Sequence, residues 1–350
     1  MNIAYLANIR LPTEKAHGVQ IMKTCEAFAR HGAKVTLIVS SRNRTIQQDP
    51  FTYYNVKRNF GVRYVYCPEL FFLGKVGFFL MNIWFSQMAA HLVWKMKADT
   101  VYSRDYFLLF DQWLWPQKKV WEVHDGVLNP IIKLMRISGI VAISHGLKQF
   151  YERKGFGKIF VAHDAVDLAE FSMIVPRKNP EKTVMYIGAL YGWKGVDTLL
   201  EASKDIQAKC VIVGSADQEI KAKYPHVEFL GPRPYTELSA RQQQADVLVI
   251  PNSGKSDISK YYTSPLKVFA HMTSGVPIVA SDLPSLREVL NENNAFFAEA
   301  DNPISFSKTI NHVLDHPEEA KKRAEQAKTD VLRYSWDNRA ASILHFLKSL

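Results

Sequence analysis

Residues 3–39 read IAYLANIRLPTEKAHGVQIMKTCEAFARHGAKVTLIV, and this stretch predicts the fold class. Residues 3–6 are a short apolar run, residues 18–31 carry apolar side chains at helical spacing, and residues 35–39 are a β-branched run. We therefore predict a strand, a helix and a second strand. Because such crossovers are almost always right-handed, the two strands should lie parallel in one sheet.

The same alternation continues along the chain. Further strands are predicted at 62–66, 100–102, 119–123 and 140–143, and a second series at 183–187, 210–213, 227–230, 247–250 and 278–280. Helical patterns are predicted at 196–203, 236–245 and 335–350. The polar, proline-bearing stretch 176–182 separates the two series. We expect an α/β protein with two doubly wound, Rossmann-like domains that bind ligands at the carboxyl ends of their strands.

The composition is that of a folded protein with an uneven charge. The chain has 350 residues, enough for about two domains, and its three cysteines lack metal-ligand spacing, which favours a reducing cytoplasm. Residues 1–165 carry 22 basic and 11 acidic residues, whereas the remainder carries 22 and 23. This excess predicts an anionic partner of the N-terminal half: nucleic acid, a phosphorylated substrate or an acidic membrane surface. A generally basic surface is the alternative.

The most apolar stretch, residues 70–94, is interrupted by polar side chains at Lys75, Asn82, Ser86, Gln87 and His91. Each of these is costly in the core of a bilayer. We predict a buried or interfacial helix whose aromatic side chains belong to the core, with membrane contact as the alternative. Residues 1–7 lack the features of a signal peptide and read as a first strand, so no secretory or membrane-spanning segment is expected.

Several nucleotide-site signatures are missing from the sequence. No Gly-x-Gly-x-x-Gly follows a strand, and residues 253–256 lack the earlier glycine of a P-loop. No Asp-x-Asp pair occurs, which argues against a sugar-nucleotide site built on a divalent metal. Dinucleotide redox chemistry and nucleoside triphosphate hydrolysis are therefore not predicted.

The strongest chemical signal is a predicted helix start at Ser264 and Pro265. Serine at the N-cap followed by proline at the first helical position leaves free amides that suit a phosphate. Lys267 adds a full charge in the first turn. An ordinary capped helix with a surface lysine is the alternative.

Two glycine-containing loops and one histidine follow predicted strands. Residues 188–195 form a loop in which Lys194 can reach a ligand, and Gly18 ends the equivalent loop of the first half. Because glycine has no side chain, a ligand can approach the backbone at Gly18. The alternative is a glycine that serves only to form a turn. Residues 121–126 place His124 and two carboxylates, Glu122 and Asp125, at the end of another strand, where they suit proton transfer or sugar binding. An isolated pair of histidine and aspartate is more often structural.

These motifs together resemble a known family. Residues 262–269, YTSPLKVF, running on through 275–288, look like the donor-site region of family 4 glycosyltransferases with the GT-B fold. Residues 12–18 resemble the N-domain glycine loop of this family, and 163–167 with Phe171 resemble its interdomain segment. The match spans nearly the whole chain.

The resemblance implies two Rossmann-like domains that face each other across a cleft. Residues 1–165 would bind the acceptor, residues 166–334 would bind the nucleotide sugar, and residues 335–350 would form a helix that crosses back to the first domain. Members of the family are typically retaining and independent of metal, so neither a metal nor another cofactor is expected.

The resemblance also assigns roles to individual residues. His124 and Lys194 would be catalytic, with Lys194 neutralising the donor diphosphate and His124 beside the donor sugar. The resemblance assigns no acceptor-binding residue, and our own candidates are His17, Arg104 and Asp125. The implied donor-binding residues are Gly18, Gly188, Lys194, Tyr262, Thr263, Ser264, Pro265, Leu266 and Lys267.

The sequence departs from the family at two positions. Ala189 replaces an arginine that many members have beside the lysine of the glycine loop. The family's two glutamates fall on Tyr262 and Ala270, and alanine cannot bind the ribose hydroxyls; Tyr262 or His271 are the candidates to replace it.

We expect a retaining transferase that moves a sugar from a nucleoside diphosphate donor to a hydroxyl of a lipid-linked or polysaccharide precursor. The site would be cytoplasmic, at the inner face of the cell membrane, and would not bind nucleic acid. The alternatives are a nucleotide-sugar epimerase and a nucleotide-sugar-binding protein that has lost catalysis.

Overall fold

The computed structural model describes residues 1–42, 46–110, 116–127, 129, 131–171, 181–234 and 237–350. The chain forms two compact units. The N-terminal unit comprises Met1–Ile143, Leu147–Ala162 and Trp336–Leu350, and the C-terminal unit comprises Ser144–Gly146 and His163–Ser335. Most of the predicted linker, residues 172–180, lies outside the described residues.

The described part of the N-terminal unit contains a seven-stranded parallel sheet in the order β3-β2-β1-β4-β5-β6-β7. The central strands β1, β4 and β5 are almost entirely buried, because helices cover both faces of such a sheet. The strands are β1 (Asn2–Ala7), β2 (Lys34–Ser40), β3 (Gly61–Val65), β4 (Thr100–Ser103), β5 (Lys118–Val123), β6 (Gly139–Ala142) and β7 (Ile159–Val161).

The helices of this unit connect consecutive strands, except the last one. They are α1 (Ala16–Arg30), α2 (Pro50–Tyr53), α3 (Gly74–Lys95), α4 (Tyr106–Phe110), α5 (Ile131–Leu134) and α6 (His145–Arg153), the first two residues of which belong to the C-terminal unit. The final helix α15 (Trp336–Ser349) packs against α1, where Asp337 pairs with Arg30 at 2.8 Å.

The described part of the C-terminal unit contains a six-stranded parallel sheet in the order β10-β9-β8-β11-β12-β13. Its strands are β8 (Thr183–Ile187), β9 (Lys209–Val213), β10 (Glu228–Phe229), β11 (Val247–Ile250), β12 (Ile278–Ser281) and β13 (Phe296–Ala298). Its helices are α7 (Leu168–Phe171), α8 (Val196–Ala202), α9 (Gln218–Lys223), α10 (Leu238–Gln242), α11 (Leu266–Thr273), α12 (Pro284–Arg287), α13 (Pro303–Asp315) and α14 (Pro317–Asp330).

The α/β class and the parallel sheets are confirmed, and each predicted strand lies within about one residue of its position. Two edge strands of three residues each, β7 and β13, were not predicted. The helix predicted at 236–245 spans only Leu238–Gln242; Thr236 lies outside the described residues.

The prediction that the aromatic side chains of residues 70–94 belong to the core is wrong for most of them. Helix α3 buries a narrow face of mainly small residues, together with Met81 and Phe85. Phe72 is 80% exposed and Phe78 is 55% exposed. The other exposed aromatic side chains of this stretch are Phe71, Phe79, Trp84 and Trp94. The helix has apolar residues around its whole circumference, so the sequence pattern does not indicate which face is buried.

Candidate functional site

Two groups of predicted residues lie at the carboxyl ends of the parallel strands, one group in each unit. Binding sites in open α/β sheets occur at this edge, because loops and helix N-termini meet there.

The group in the C-terminal unit contains two lysines. Lys194 ends the 3-10 turn Gly192–Lys194 after β8, and Lys267 is the second residue of α11. The Lys267 ammonium is buried, has no hydrogen-bond partner among the described residues, and lies 4.3 Å from the centre of the Tyr186 ring. Burial and the nearby charge of Lys194 lower the pKa of Lys267 well below its ordinary value.

Lys194 lies in similar surroundings. Its ammonium lies 5.2 Å from the ring centre of Tyr191 and 5.3 Å from that of Trp193, and burial lowers its pKa. Like charges disfavour each other, so two partly desolvated lysines within electrostatic range favour a bound anion. This arrangement is typical of a phosphate or diphosphate site.

The turn that carries Lys194 is fixed by close backbone packing. Gly195 has a φ of +63°, and a Cβ atom there would lie 1.9 Å from the carbonyl oxygen of Pro251. The amide of Ser253 donates a hydrogen bond to the Trp193 carbonyl at 3.1 Å. The turn and the loop after β11 therefore form one rigid edge beside Lys194.

The predicted N-cap role of Ser264 is wrong. Helix α11 begins at Leu266, and Pro265 occupies the N-cap position. The Ser264 hydroxyl instead accepts a hydrogen bond from the amide of Asp164 at 3.0 Å, a contact between residues one hundred positions apart. Because proline has no N–H group, the predicted amide donors reduce to those of Ser264 and Leu266.

The remaining predicted donor residues flank this region. Gly188 follows β8 directly. Tyr262 is the last residue of a π-helical turn. Thr263, the next residue along the chain, is buried. Ala270 is partly buried against the core of the unit, and the buried His271 contacts Gln242 through Nδ1 at 2.7 Å. Burial and the charge of Lys267 lower the pKa of His271 to about 3, so its ring is neutral.

The group in the N-terminal unit centres on the buried carboxylate of Glu122. One of its oxygens accepts hydrogen bonds from Gln20 Nε2 and from His124 Nε2, the latter at 2.7 Å. The other accepts from the Tyr102 hydroxyl and pairs with Arg339 at 3.1 Å. Although burial opposes ionisation, Arg339 and His124 hold the pKa of Glu122 below its ordinary value.

This carboxylate determines the state of His124. Burial, and to a smaller extent the charge of Arg104, lower the pKa of His124 to about 4, although Glu122 acts in the opposite direction. The ring is therefore neutral at pH 7. An ionised carboxylate only accepts hydrogen bonds, so Nε2 carries the proton and Nδ1 is left as an acceptor. His124 can therefore accept a hydrogen bond from a sugar hydroxyl.

The structure also brings His17 and Arg104 to this group. Arg104 donates to Gln20 at 3.1 Å, and burial together with Arg104 lowers the pKa of His17 to about 4. Asp125 is exposed, and burial of part of its carboxylate raises its pKa.

Gly18 was predicted to end the loop before the first helix, but it lies inside α1. A Cβ atom at Gly18 would lie 2.2 Å from the Tyr54 hydroxyl. The missing side chain therefore makes room for Tyr54.

The sequence pointed to Glu122 only as one of two carboxylates beside His124, and it did not point to Arg339 or Tyr186 as functional residues. Glu122 had a usable signal, because it lies two residues before His124 at the carboxyl end of β5, and residues two apart along an extended chain point to the same side. Arg339 and Tyr186 had none, since their partners are distant in sequence.

Part of the chain matches a family model. Residues 181–316 match the model described as Glycosyl transferases group 1. An uncharacterized glycosyltransferase of Methanocaldococcus jannaschii is 24% identical over 44% of this chain and 44% of its own length. A phosphatidyl-myo-inositol mannosyltransferase of Mycobacterium tuberculosis is 25% identical over 65% and 63%. The chain spans about half the length of the curated relatives it matches. These matches show that part of the chain is similar to glycosyltransferases.

Solved structures resemble the whole chain. Sucrose-phosphate synthase from Thermosynechococcus elongatus aligns with a TM-score of 0.79 at 15% identity, covering 99% of this chain and 98% of that one. The Anabaena protein HepE in complex with UDP-glucose aligns with a TM-score of 0.75 at 15% identity, covering 100% of both chains. At this identity the likeness shows the fold alone, which is the GT-B class.

Proposed function

We propose that the protein is a retaining glycosyltransferase that moves a sugar from a nucleoside diphosphate sugar to an acceptor hydroxyl. The observation that carries the proposal is the pair of partly desolvated lysines, Lys194 and Lys267, at the carboxyl edge of the C-terminal sheet. A bound diphosphate would supply the negative charge that neutralises these two ammonium groups. The solved HepE complexes with UDP and UDP-glucose support a nucleotide sugar as the ligand.

Catalysis would be mainly electrostatic. As the bond between the sugar and the diphosphate breaks, negative charge develops on the leaving phosphate oxygens. Lys194, Lys267 and the Leu266 amide would stabilise that charge, and a preorganised donor of this kind contributes about 100-fold or more. These groups provide the positive charge that a metal supplies elsewhere, so we propose that transfer needs no metal ion.

His124 would recognise a sugar hydroxyl. Its Nδ1 atom accepts a hydrogen bond while Glu122 holds Nε2, which fixes both the tautomer and the orientation of the ring. His17 and Arg104 lie beside it and are our candidates for contacts with the acceptor.

We further propose that the acceptor is a lipid-linked or polysaccharide precursor at an anionic membrane surface, the inner face of the cell membrane. Among the described residues, twelve of the eighteen large hydrophobic side chains that are exposed fall between Tyr64 and Trp94. Residues 57–97 also carry six basic side chains and one acidic side chain. Exposed apolar side chains flanked by basic ones are typical of a surface that lies on anionic lipid.

The helical segment Phe71–Lys95, which includes α3, is long and apolar enough to cross a membrane by length and composition, but 44% of its most apolar 18-residue window is buried within the protein. Spanning a bilayer would remove this buried face from the core. We therefore favour a helix that lies on the membrane surface.

Transfer is tested by incubating the full chain with UDP-sugars and GDP-sugars and a panel of lipid-linked and soluble acceptors. The proposal expects release of the nucleoside diphosphate together with a product whose anomeric configuration, read by NMR, matches that of the donor. A product of opposite configuration would contradict retention. Epimerised donor, or binding without turnover on any acceptor, would contradict transfer.

Membrane binding is tested by sedimentation with anionic and neutral vesicles. Binding to anionic vesicles should weaken as salt rises, because the Debye length falls to about 3 Å at 1 M. Phe72→Ser combined with Phe79→Ser should abolish it, whereas Ile304→Ser, at a residue 61% exposed in the C-terminal unit, should not. Equal binding to neutral vesicles would contradict the proposed attraction between the basic side chains and anionic lipid.

A further inference from the structure

Three side chains with metal-ligating atoms converge in the C-terminal unit and have no part in the proposed transfer. His145 is the first residue of α6, His163 follows β7, and Glu288 directly follows α12 at its C-cap position. One ligand atom from each residue lies within 4.8 Å of the other two. No local spacing joins these residues in the sequence, so the fold alone creates the group.

The separations suit a shared ion better than a direct hydrogen bond. His163 Nδ1 lies 3.6 Å from Glu288 Oε2. That is longer than a good hydrogen bond, and it is close to the separation of about 3.3 Å between two ligands of a tetrahedral zinc ion. The ring centres of His145 and His163 are 5.7 Å apart and the rings are tilted by 58°, so they do not stack.

The carboxylate is held in place for ligation. The amides of His145 and Gly146 donate one hydrogen bond to each oxygen of Glu288, at 2.8 Å and 3.1 Å. Each carboxylate oxygen has a second lone pair, so these bonds leave room for an ion. The side chains of Glu288 and His163 are only 13% and 15% exposed, whereas His145 is exposed and provides a route for entry.

We propose that His145, His163 and Glu288 bind one divalent transition-metal ion, zinc in the first instance, with water completing the coordination. Two imidazoles and one carboxylate are a common ligand set for zinc. The ion would hold the short segment Ser144–Gly146, whose sequence neighbours on both sides belong to the N-terminal unit, to the rest of the C-terminal unit.

Calorimetric titration of the tag-free, chelator-treated full chain with zinc chloride, in the absence of nucleotide, tests this site. We expect one equivalent to bind and the melting temperature to rise. His145→Gln removes an exposed ligand, and Glu288→Gln retains an oxygen that accepts hydrogen bonds from the amides. Each should weaken zinc binding by at least about 10-fold, since even indirect partners of a metal site cost that much.

A second cluster in the C-terminal unit provides the control. His312 stacks on His316 with ring centres 4.1 Å apart and pairs with Glu319 at 3.3 Å, and His312 is also exposed. His312→Gln should leave zinc affinity unchanged. The proposal is overturned by a wild-type chain that binds no zinc, by binding that survives both His145→Gln and Glu288→Gln, or by binding that His312→Gln removes. Because the readout is metal binding, none of these results bears on sugar transfer.

Discussion

The two units place charged groups at equivalent edges of their sheets but balance the charge in opposite ways. In the N-terminal unit, Glu122 is neutralised by Arg339 and saturated with hydrogen bonds, which leaves His124 neutral and oriented. In the C-terminal unit, Lys267 is buried with no described hydrogen-bond partner and lies near a second lysine, Lys194. The first site is complete within the protein, whereas the second favours an anionic ligand.

Breaking the ion pair between Glu122 and Arg339 should have the largest effect, a loss of protein stability. Arg339→Met leaves the Glu122 carboxylate buried without its ion-pair partner, which we expect to lower the free energy of unfolding by about 3–5 kcal/mol. Chemical denaturation measures this. Adding Glu122→Gln to Arg339→Met should restore part of the loss, because no isolated charge then remains. A double variant less stable than the single one would contradict the compensation.

Removing one charge from the uncompensated site should abolish most catalysis. Lys194→Ala should lower turnover by roughly 100-fold or more, by analogy with the loss of one oxyanion donor. The control is Lys322→Ala, an exposed lysine on α14, which should retain full turnover. Unchanged turnover in a folded Lys194→Ala protein would exclude this lysine from the mechanism.

Lys267→Met should change the stability of the free protein and its affinity for UDP in opposite directions. Removing an unpartnered buried polar group should stabilise the free protein by about 1 kcal/mol or more, while UDP loses a charged contact and binds more weakly. Melting temperatures with and without UDP measure both effects. A less stable free protein would show that the Lys267 charge is compensated.

The same substitution has a predicted pH signature. Because the pKa of Lys267 is lowered in the folded protein, the unfolded chain binds more protons between that lowered value and the ordinary one. The wild type should therefore gain stability relative to Lys267→Met as pH rises through this range. A constant difference across alkaline pH would contradict a lowered pKa.

Ala270→Glu should have the smallest net effect, because a gained contact with the nucleotide and the burial of a new carboxylate oppose each other. If the nucleotide lies as the family resemblance implies, the new carboxylate accepts a hydrogen bond from a ribose hydroxyl, worth about 1.5–3 kcal/mol. Affinity for nucleoside diphosphates should then tighten by roughly 10-fold. Burial of an unpaired carboxylate opposes this gain in the free protein. Calorimetry that shows no tightening with any base would place the ribose elsewhere.

The positions of Lys194, Lys267 and His124 can be predicted from the strand ends and the family resemblance, but their environments cannot. Burial and partners depend on segments that are distant along the chain. Ser264 shows the difference: local preference favours a serine N-cap, but the amide of Asp164 occupies its hydroxyl. The aromatic residues of α3 show it again, since an apolar helix does not indicate which face the core covers.

Local periodicity of period 2 or 3.6 is enough to establish the α/β class, the order of most strands and helices, and the position of candidate residues after those strands. Charge compensation depends instead on tertiary contacts. Arg339 reaches Glu122 from the other end of the chain, while no described carboxylate pairs with Lys267. The physical reason is that electrostatic environment depends on distance in space, and the sequence records only distance along the chain.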